Sequence, residues 1–175
     1  MQAEQTLEFM PVRSGEQIAR VAQLAREIWT EHYLPIIGQA QIDYMLARLQ
    51  SAAAIAAQIA AGDEYFLLRR QDQWLGYAAV RTDADARRLF VSKLYLLKTV
   101  RGQGLGRASM NHLAQMARQR GLSKLWLTVN KRNPALMAYL RIGFVTVGAE
   151  VADIGGGYVM DDYQLEWTPA SDSIQ

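Results

Sequence analysis

The residues Leu94–Gly106 read LYLLKTVRGQGLG, an apolar strand that passes directly into a glycine-rich turn. The helix predicted after this turn carries Leu105, Leu113 and Met116 on one arc. Glycines let a backbone approach a ligand closely, and the first turn of a helix offers N–H groups and the positive end of its dipole. The stretch therefore predicts a strand, a phosphate-binding loop and a helix. The alternative is a tight turn that is glycine-rich for steric reasons alone.

On both sides of this stretch, some segments have apolar residues at the spacing of a strand and others at the spacing of a helix. The predicted strands are Leu7–Val12, Tyr65–Arg69, Trp74–Arg81, Leu89–Leu97, Leu125–Val129, Phe144–Val151 and Tyr158–Trp167. The predicted helices are 16–31, Gln39–Ala61, Gly104–Arg120 and a short helix capped by Asn133 with Pro134 in its first turn. This order indicates an α/β chain with a mixed sheet and excludes a pure βαβ repeat.

Length and composition favour an ordinary globular chain, with one domain expected over residues 1–169 and a polar tail over 170–175. The chain has no cysteine, which excludes disulfide scaffolds, thiolate metal sites and cysteine nucleophiles. With two histidines, a metal site is not expected. A net charge of +2 gives no support for nucleic-acid binding. Residues 1–5 lack a signal-peptide pattern and no apolar run suits a membrane, so a cytoplasmic location is expected.

Two sequence motifs restrict the kinds of ligand that the loop could bind. The loop lacks the Gly-Lys-Ser/Thr of a nucleoside triphosphate site and the Gly-x-Gly-x-x-Gly of a dinucleotide fold. Arg101–Gly106 instead matches Arg/Gln-x-x-Gly-x-Gly/Ala, and Asn133–Phe144 (NPALMAYLRIGF) matches Asn…Ala-x-x-x-Tyr-x-x-x-Gly-Phe. Both motifs, in this order, resemble the GNAT superfamily of N-acetyltransferases. The order of elements over residues 6–167 fits that superfamily as well.

The resemblance implies a GNAT fold, with a mostly antiparallel twisted sheet of about seven strands and four to five helices. It also implies acetyl-CoA as co-substrate, no metal, and attack of an amine on the thioester. Tyr139 aligns with the general acid for the leaving thiolate, since a phenol stays protonated at neutral pH; packing on the sheet is the alternative. The residues implied in cofactor binding are Leu94, Tyr95 and Leu96 through their main chain, Arg101, Gly102, Gln103, Gly104, Leu105, Gly106, Arg107, Asn130, Asn133 and Tyr139.

Three shorter stretches resemble the bacterial polyamine N-acetyltransferase-like branch. They are Ser92–Leu96, Val129–Asn133 and Gly155–Tyr163. A small amine such as a polyamine is therefore the leading acceptor, and an N-terminal or lysine amine of a peptide or protein is the second hypothesis. A CoA-binding sensor without catalysis is the third. The superfamily also allows a homodimer, although no residue here indicates an interface.

The acceptor side departs from the family pattern, since Phe90, Val91 and Ser92 stand where many relatives carry a glutamate as general base. The base is left unassigned, with four carboxylates as candidates: Glu31, Asp153, Asp161 and Asp162. Because neighbouring strand residues face opposite sides, at most one of Asp161 and Asp162 points inward to hold a cationic amine.

An aromatic cluster ends the first long helix. Trp29, His32 and Tyr33 lie where relatives form the acceptor cleft, and aromatic faces can hold a cation there. Packing in the core is the alternative for Trp29. His112 is expected on the inner face of the helix after the loop, in a structural role.

Overall fold

The computed structural model describes residues 6–170 of the chain. Residues 1–5, which were compared with a signal-peptide pattern, and residues 171–175, which make up most of the predicted polar tail, lie outside the described part. The strands are β1 Glu8–Pro11, β2 Glu64–Arg70, β3 Gln73–Asp83, β4 Arg88–Leu96, β5 Lys124–Asn130, β6 Val145–Gly155 and β7 Tyr158–Trp167. The helices are α1 Gly15–Ile37, α2 Gln39–Leu49, α3 Ala52–Ala60, α4 Leu105–Gln119 and α5 Ala135–Ile142, with a 3-10 turn at Lys98–Val100.

The seven strands follow the order β1-β2-β3-β4-β5-β7-β6. Antiparallel pairing joins β1 to β2, β2 to β3, β5 to β7 and β7 to β6, whereas β4 and β5 run parallel. The predicted mixed, mostly antiparallel sheet of seven strands with five helices is confirmed. No helix within residues 6–170 is both long and apolar enough to cross a membrane.

The described chain forms two compact units, and β3, β4 and α4 each contribute residues to both. The first unit holds residues up to Arg81 together with Lys93–Ala108, and the second holds Thr82–Ser92 together with the residues from Ser109 onward. A core cluster of the first unit consists of Leu68, Leu75, Ala78, Val100 and Leu105, with Leu94 and Leu96 packed against it. Buried apolar residues of the second unit include Leu89, Met110, Leu113, Leu125, Leu127, Phe144 and Leu165.

Helix α1 begins as predicted and ends later. The Ser14 hydroxyl accepts the Gln17 N–H at 3.2 Å, and the Gln17 side chain accepts the Ser14 N–H at 3.0 Å, so the two residues form a capping box. The predicted end at residue 31 is wrong, because the helix continues through Pro35 to Ile37. Proline removes one backbone donor, a loss that the last turn of a helix tolerates better than its middle does.

The single helix predicted over Gln39–Ala61 is also wrong, because the structure has two helices there. The Ser51 hydroxyl accepts the N–H of Ala54 at 3.2 Å and so begins α3 with a new cap. Gln50, at the junction, is buried, and its side-chain oxygen accepts the Tyr77 hydroxyl at 3.2 Å. The contact of Gln50 with Tyr77 and the cap at Ser51 therefore divide a segment whose apolar spacing alone predicts a single helix.

Candidate active site

The glycine loop of the first unit is exposed, and there is open space beside its glycines. Gly102 and Gly104 have φ angles of +75° and +77°, and α4 begins one residue later. The first helical bond runs from Ala108 N to Gly104 O at 3.0 Å, so the N–H groups of Leu105 and Gly106 have no acceptor within the helix. A Cβ added at Gly102, Gly104 or Gly106 would meet no heavy atom within 4 Å. Such an open cradle of N–H groups fits a phosphate.

The polar side chains of the loop are bound within the protein. Arg101 donates from Nε to the Leu96 carbonyl at 3.1 Å, and its NH1 lies 3.4 Å from Nδ1 of His32. The Gln103 side chain accepts a hydrogen bond from Arg70 at 3.1 Å. The anion-binding capacity of the loop therefore rests mainly on its backbone. Arg70 is a residue that the sequence did not single out, because it reaches the loop through the β2–β3 hairpin.

Strand β4 approaches β3 closely just before the loop. A Cβ added at Gly76 would lie 2.0 Å from the carbonyl oxygen of Tyr95 and 3.0 Å from the Cα of Leu96. The parallel pairing of β4 with β5 covers Arg88–Phe90 and does not include Leu94–Leu96. The main chain of Leu94–Leu96, which is predicted to bind the thioester, is therefore not paired with β5 in that register. Its close approach to β3 requires a glycine at position 76. A glycine within a strand is the signal by which Gly76 could have been found.

The predicted aromatic residues come together as a packed cluster. The Trp29 ring centroid lies 4.6 Å from that of Tyr33 and 5.5 Å from that of Tyr95, and Tyr95 in turn lies 5.3 Å from Tyr77. Trp29 and Tyr33 are 3% and 9% exposed, so both belong to the core. His32 packs edge-on against Tyr33 at 4.8 Å and contacts Arg101. This cluster lies beside the loop, and its role towards an acceptor stays a prediction.

In the second unit, Tyr139 is held by aromatic packing. Its ring meets Phe144 edge-on at a centroid distance of 5.7 Å, and Phe144 lies 5.6 Å from Trp167. The Phe144 N–H also bonds to the Tyr139 carbonyl at 3.1 Å. Gly143 ends α5 between these residues with a φ of +123°, a conformation that favours glycine. The Tyr-x-x-x-Gly-Phe spacing therefore serves to fix the tyrosine ring.

The two asparagines organise the connection between β5 and α5. The Asn133 side chain accepts the Ala135 N–H at 2.9 Å, so it caps the helix as predicted, although α5 begins at Ala135, after Pro134. The Asn130 side chain accepts the Arg132 N–H at 2.9 Å. Both side-chain oxygens therefore stabilise the turn, and binding of a cofactor by Asn130 and Asn133 stays a prediction.

The adjacent acids of β7 face opposite sides, as the strand period requires. The Asp161 carboxylate binds Lys131 at 2.8 Å, a contact that also raises the pKa of that lysine. Asp162 is 6% exposed and stands opposite Glu150 of β6 and Asn130 of β5. Burial, followed by the charges of Glu150 and Asp161, raises its pKa to about 6.

We expect Asp162→Asn to stabilise the protein at neutral pH. The folded carboxyl binds its proton more tightly than the unfolded one (pKa about 4), so the stability of the parent falls as the pH rises from 4 to 6. The variant should lack this fall and gain about 2 kcal/mol in the free energy of unfolding at pH 7. Urea unfolding across this range measures both effects. Asp161→Asn, at a half-exposed carboxylate, is the comparison variant and should keep most of the fall, because burial contributes more than Asp161 to the raised pKa of Asp162. An unaltered slope in Asp162→Asn would contradict the assignment.

Apolar side chains that pack in the protein occupy positions at which many relatives carry the glutamate. Phe90 stacks on Trp126 at 4.2 Å, and Val91 is buried. Of the candidate bases, Glu31 is exposed and Asp153 accepts the Gly155 N–H at 2.8 Å in the β6–β7 turn.

His112 is exposed, so its predicted place on the inner face of α4 is wrong. The buried face of the helix carries Met110, Leu113 and Ala117 instead. Within residues 6–170 no three His, Asp or Glu side chains form a group suited to a metal ion.

Comparison with known proteins is consistent with this geometry. The model of the acetyltransferase (GNAT) family matches residues 19–144. Streptothricin acetyltransferase of Streptomyces lavendulae is 42% identical over 78 residues, which are 44% of this chain and 41% of that protein. The ribosomal protein bS18-alanine N-acetyltransferase of Haemophilus influenzae is 32% identical over 85 residues, 47% of this chain and 57% of that protein. The chain thus spans about half the length of these curated relatives.

The fold has counterparts among solved structures. Spermidine N-acetyltransferase from Vibrio cholerae, in complex with CoA and spermine, superposes with a TM-score of 0.67. The match covers 93% of this chain and 95% of that chain at 16% sequence identity. At this identity the likeness concerns the fold alone. The three proteins are named for three different acceptors, so the comparisons leave the acceptor class open.

Proposed function

The chain belongs to the GNAT acetyltransferase family, and from this premise we propose that it transfers the acetyl group of acetyl-CoA to a primary amine. The observation that carries the proposal is the glycine loop at the start of α4. The N–H groups of Leu105 and Gly106 have no acceptor within the helix, and the space beside Gly102, Gly104 and Gly106 is open. A pyrophosphate is the part of acetyl-CoA that suits such a cradle.

Other residues of this chain would bind the thioester, protonate the leaving thiolate and accept the proton of the amine. The main chain of Leu94–Leu96, kept outside the β4–β5 strand pairs, would hold the pantetheine and the thioester carbonyl. Tyr139, whose ring is fixed against Phe144, would give its hydroxyl proton to the departing thiolate. The proton of the acceptor amine would leave through water or one of the carboxylates, since Phe90 and Val91 accept none. Bound acetyl-CoA supplies the activated acetyl group.

For the acceptor, we propose a small amine, with polyamines first. The narrower resemblance of residues 92–96, 129–133 and 155–163 supports this class. So does Asp162, because a buried carboxylate opposite Glu150, on which the charge of Lys131 has only the smallest effect, would gain from a cationic partner. The relative named for ribosomal protein bS18-alanine supports a peptide N-terminus as the second candidate. The relative named for streptothricin adds that compound to the small molecules worth testing.

Release of free thiol from acetyl-CoA tests the function. The panel would hold spermidine, spermine, streptothricin, aminoglycosides, amino acids and peptides with N-terminal alanine, beside a control without acceptor. Thiol release above the control with one class supports an N-acetyltransferase and identifies its acceptor. If no acceptor reacts while acetyl-CoA raises the melting temperature, as ligand linkage requires, the cofactor site stands, and either the acceptor is missing from the panel or the chain is a CoA-binding module without catalysis. If acetyl-CoA neither reacts nor binds, the proposal fails.

We expect Tyr139→Phe to lower kcat by about a hundredfold or more, because a positioned general acid contributes about 10²–10⁴-fold. The KM for acetyl-CoA should stay near the parent value, since the ring and its contact with Phe144 are kept. Steady-state kinetics with the best acceptor of the panel measure both constants. Tyr44→Phe, which removes a hydroxyl bonded to Arg48 on α2, is the control. Full activity of Tyr139→Phe would show that water protonates the thiolate.

A further inference from the structure

The amine of Lys93 on β4 is surrounded by neutral partners. Its Nζ donates to the Gln58 side-chain oxygen at 3.0 Å and lies 5.3 Å from the centroid of the Tyr65 ring. Gln58 is itself fixed, because its amide donates to the Leu49 carbonyl at 2.9 Å and its oxygen accepts the Tyr65 hydroxyl at 2.6 Å. A half-buried ammonium with only a neutral acceptor gains little from its charge.

The charged groups near Lys93 do not offset the cost of burying its ammonium group. Within residues 6–170 Lys93 forms no ion pair, and the nearest acid, Asp63, binds Arg81 at 2.6 Å. Burial first, and then the charge of Arg81, lower the pKa of Lys93 to about 8, against the opposing attraction of Asp63. Tyr65 stays a neutral phenol, because burial and Asp63 raise its pKa. About one Lys93 amine in ten is therefore neutral, and nucleophilic, at pH 7.

Lys93 also lies next to the segment that would hold the thioester. It directly precedes Leu94–Leu96, and the alternation of a strand places its side chain on the face that carries Tyr95. Same-face neighbours on a strand are about 7 Å apart, a distance that a flexible lysine side chain spans. The ring of Tyr95 packs against Trp29 and Tyr77, while Lys93 and Tyr95 are both only partly buried, so water can still reach this face. A nucleophilic amine and an activated acyl group would therefore meet on one strand.

We propose that Lys93 is a site of self-acetylation by acetyl-CoA held in the chain's own cofactor site. The neutral amine attacks the thioester carbonyl carbon, a C–N bond forms, the C–S bond breaks, the amine loses a proton to water, and CoA leaves as the thiol. The inference rests on the proposed function, since it requires bound acetyl-CoA. The product is an amide, which is a poor acyl donor, so the acetyl group stays on Lys93 as a modification and is not passed on to an acceptor.

The test uses the full chain with acetyl-CoA and no acceptor, followed by intact-mass analysis and peptide mapping over time. Lys98, an exposed lysine five residues further along the same segment, is the internal control. We expect Lys93 to gain an acetyl group at least about tenfold faster than Lys98, with a rate that rises with pH and levels off above pH 8. Lys93→Arg should keep the charge and lose this modification.

Two further measurements separate the ways in which the test can fail. Acetic anhydride, which needs no cofactor site, measures how reactive the two amines are in themselves. A preference for Lys93 over Lys98 that is clearly larger with acetyl-CoA than with acetic anhydride shows that the reaction starts from the bound donor. If acetyl-CoA raises the melting temperature but modifies Lys93 no faster than Lys98, the self-acetylation is overturned while the proposed cofactor site stands, and thiol release with the acceptor panel tests the proposed function separately. If acetyl-CoA does not bind, both fall together.

Discussion

Replacing Gly76 with alanine should destabilise the protein by about 3 kcal/mol or more, because the added methyl group collides with backbone that cannot rotate away. Its Cβ would lie 2.0 Å from the Tyr95 carbonyl oxygen and 2.9 Å from the Tyr95 carbonyl carbon. To relieve the collision, β4 must move away from β3 at Leu94–Leu96. The molecules that still fold should therefore also lose affinity for acetyl-CoA. Urea unfolding and thermal shift with acetyl-CoA measure the two effects.

Gly15→Ala is the matched control for this substitution. A Cβ at Gly15 meets no atom within 4 Å, and the residue lies in the first turn of α1, so alanine there should be neutral or slightly stabilising. An unfolding free energy of Gly76→Ala equal to that of the parent would contradict the close approach of β3 and β4. A destabilised variant with unchanged affinity for acetyl-CoA would show that the shape of Leu94–Leu96 does not matter for binding.

The contrast between Gly76 and the loop glycines shows what the sequence could predict. The loop and the Asn133 cap are local, because the residues that form them are neighbours in the chain, and both are visible as motifs. The contact of Gly76 with Tyr95 joins residues of different strands, and the bond from Arg70 to Gln103 joins a strand to the loop. Contacts of this kind depend on strand order and register, which periodicity does not provide.

The wrong boundary within Gln39–Ala61 and the undecided roles of Asp161 and Asp162 have the same origin. The pattern over Gln39–Ala61 is helical throughout, but the contact between Gln50 and Tyr77 and the cap at Ser51 divide it. For Asp161 and Asp162, the strand period predicts that they face opposite sides, but only the neighbouring strand shows which of them is buried. It places Glu150 opposite Asp162, and this pairing, together with burial, accounts for the raised pKa.

Gly106→Val should separate folding from cofactor binding. Gly106 lies in the first turn of α4, and a Cβ there meets no heavy atom within 4 Å, so valine should leave the free energy of unfolding within about 0.5 kcal/mol of the parent. In the proposed complex, the same side chain would occupy the space of a phosphate oxygen. Loss of two charge-assisted hydrogen bonds corresponds to an affinity at least about a hundredfold lower. Calorimetric titration with acetyl-CoA measures this loss.

Two controls make the Gly106 result specific. Gly106→Ala should keep binding, because the family motif allows alanine at this position, and should be slightly more stable than the parent. Gly104→Val carries backbone strain of about 1–2 kcal/mol from its positive φ, and Gly121→Val, at a φ of +72° with equally open space, carries the same strain outside the loop. If Gly104→Val loses acetyl-CoA while Gly121→Val keeps it, strain does not explain the loss. If Gly106→Val binds acetyl-CoA as the parent does, the phosphates lie elsewhere, and the loop is only a tight turn between β4 and α4.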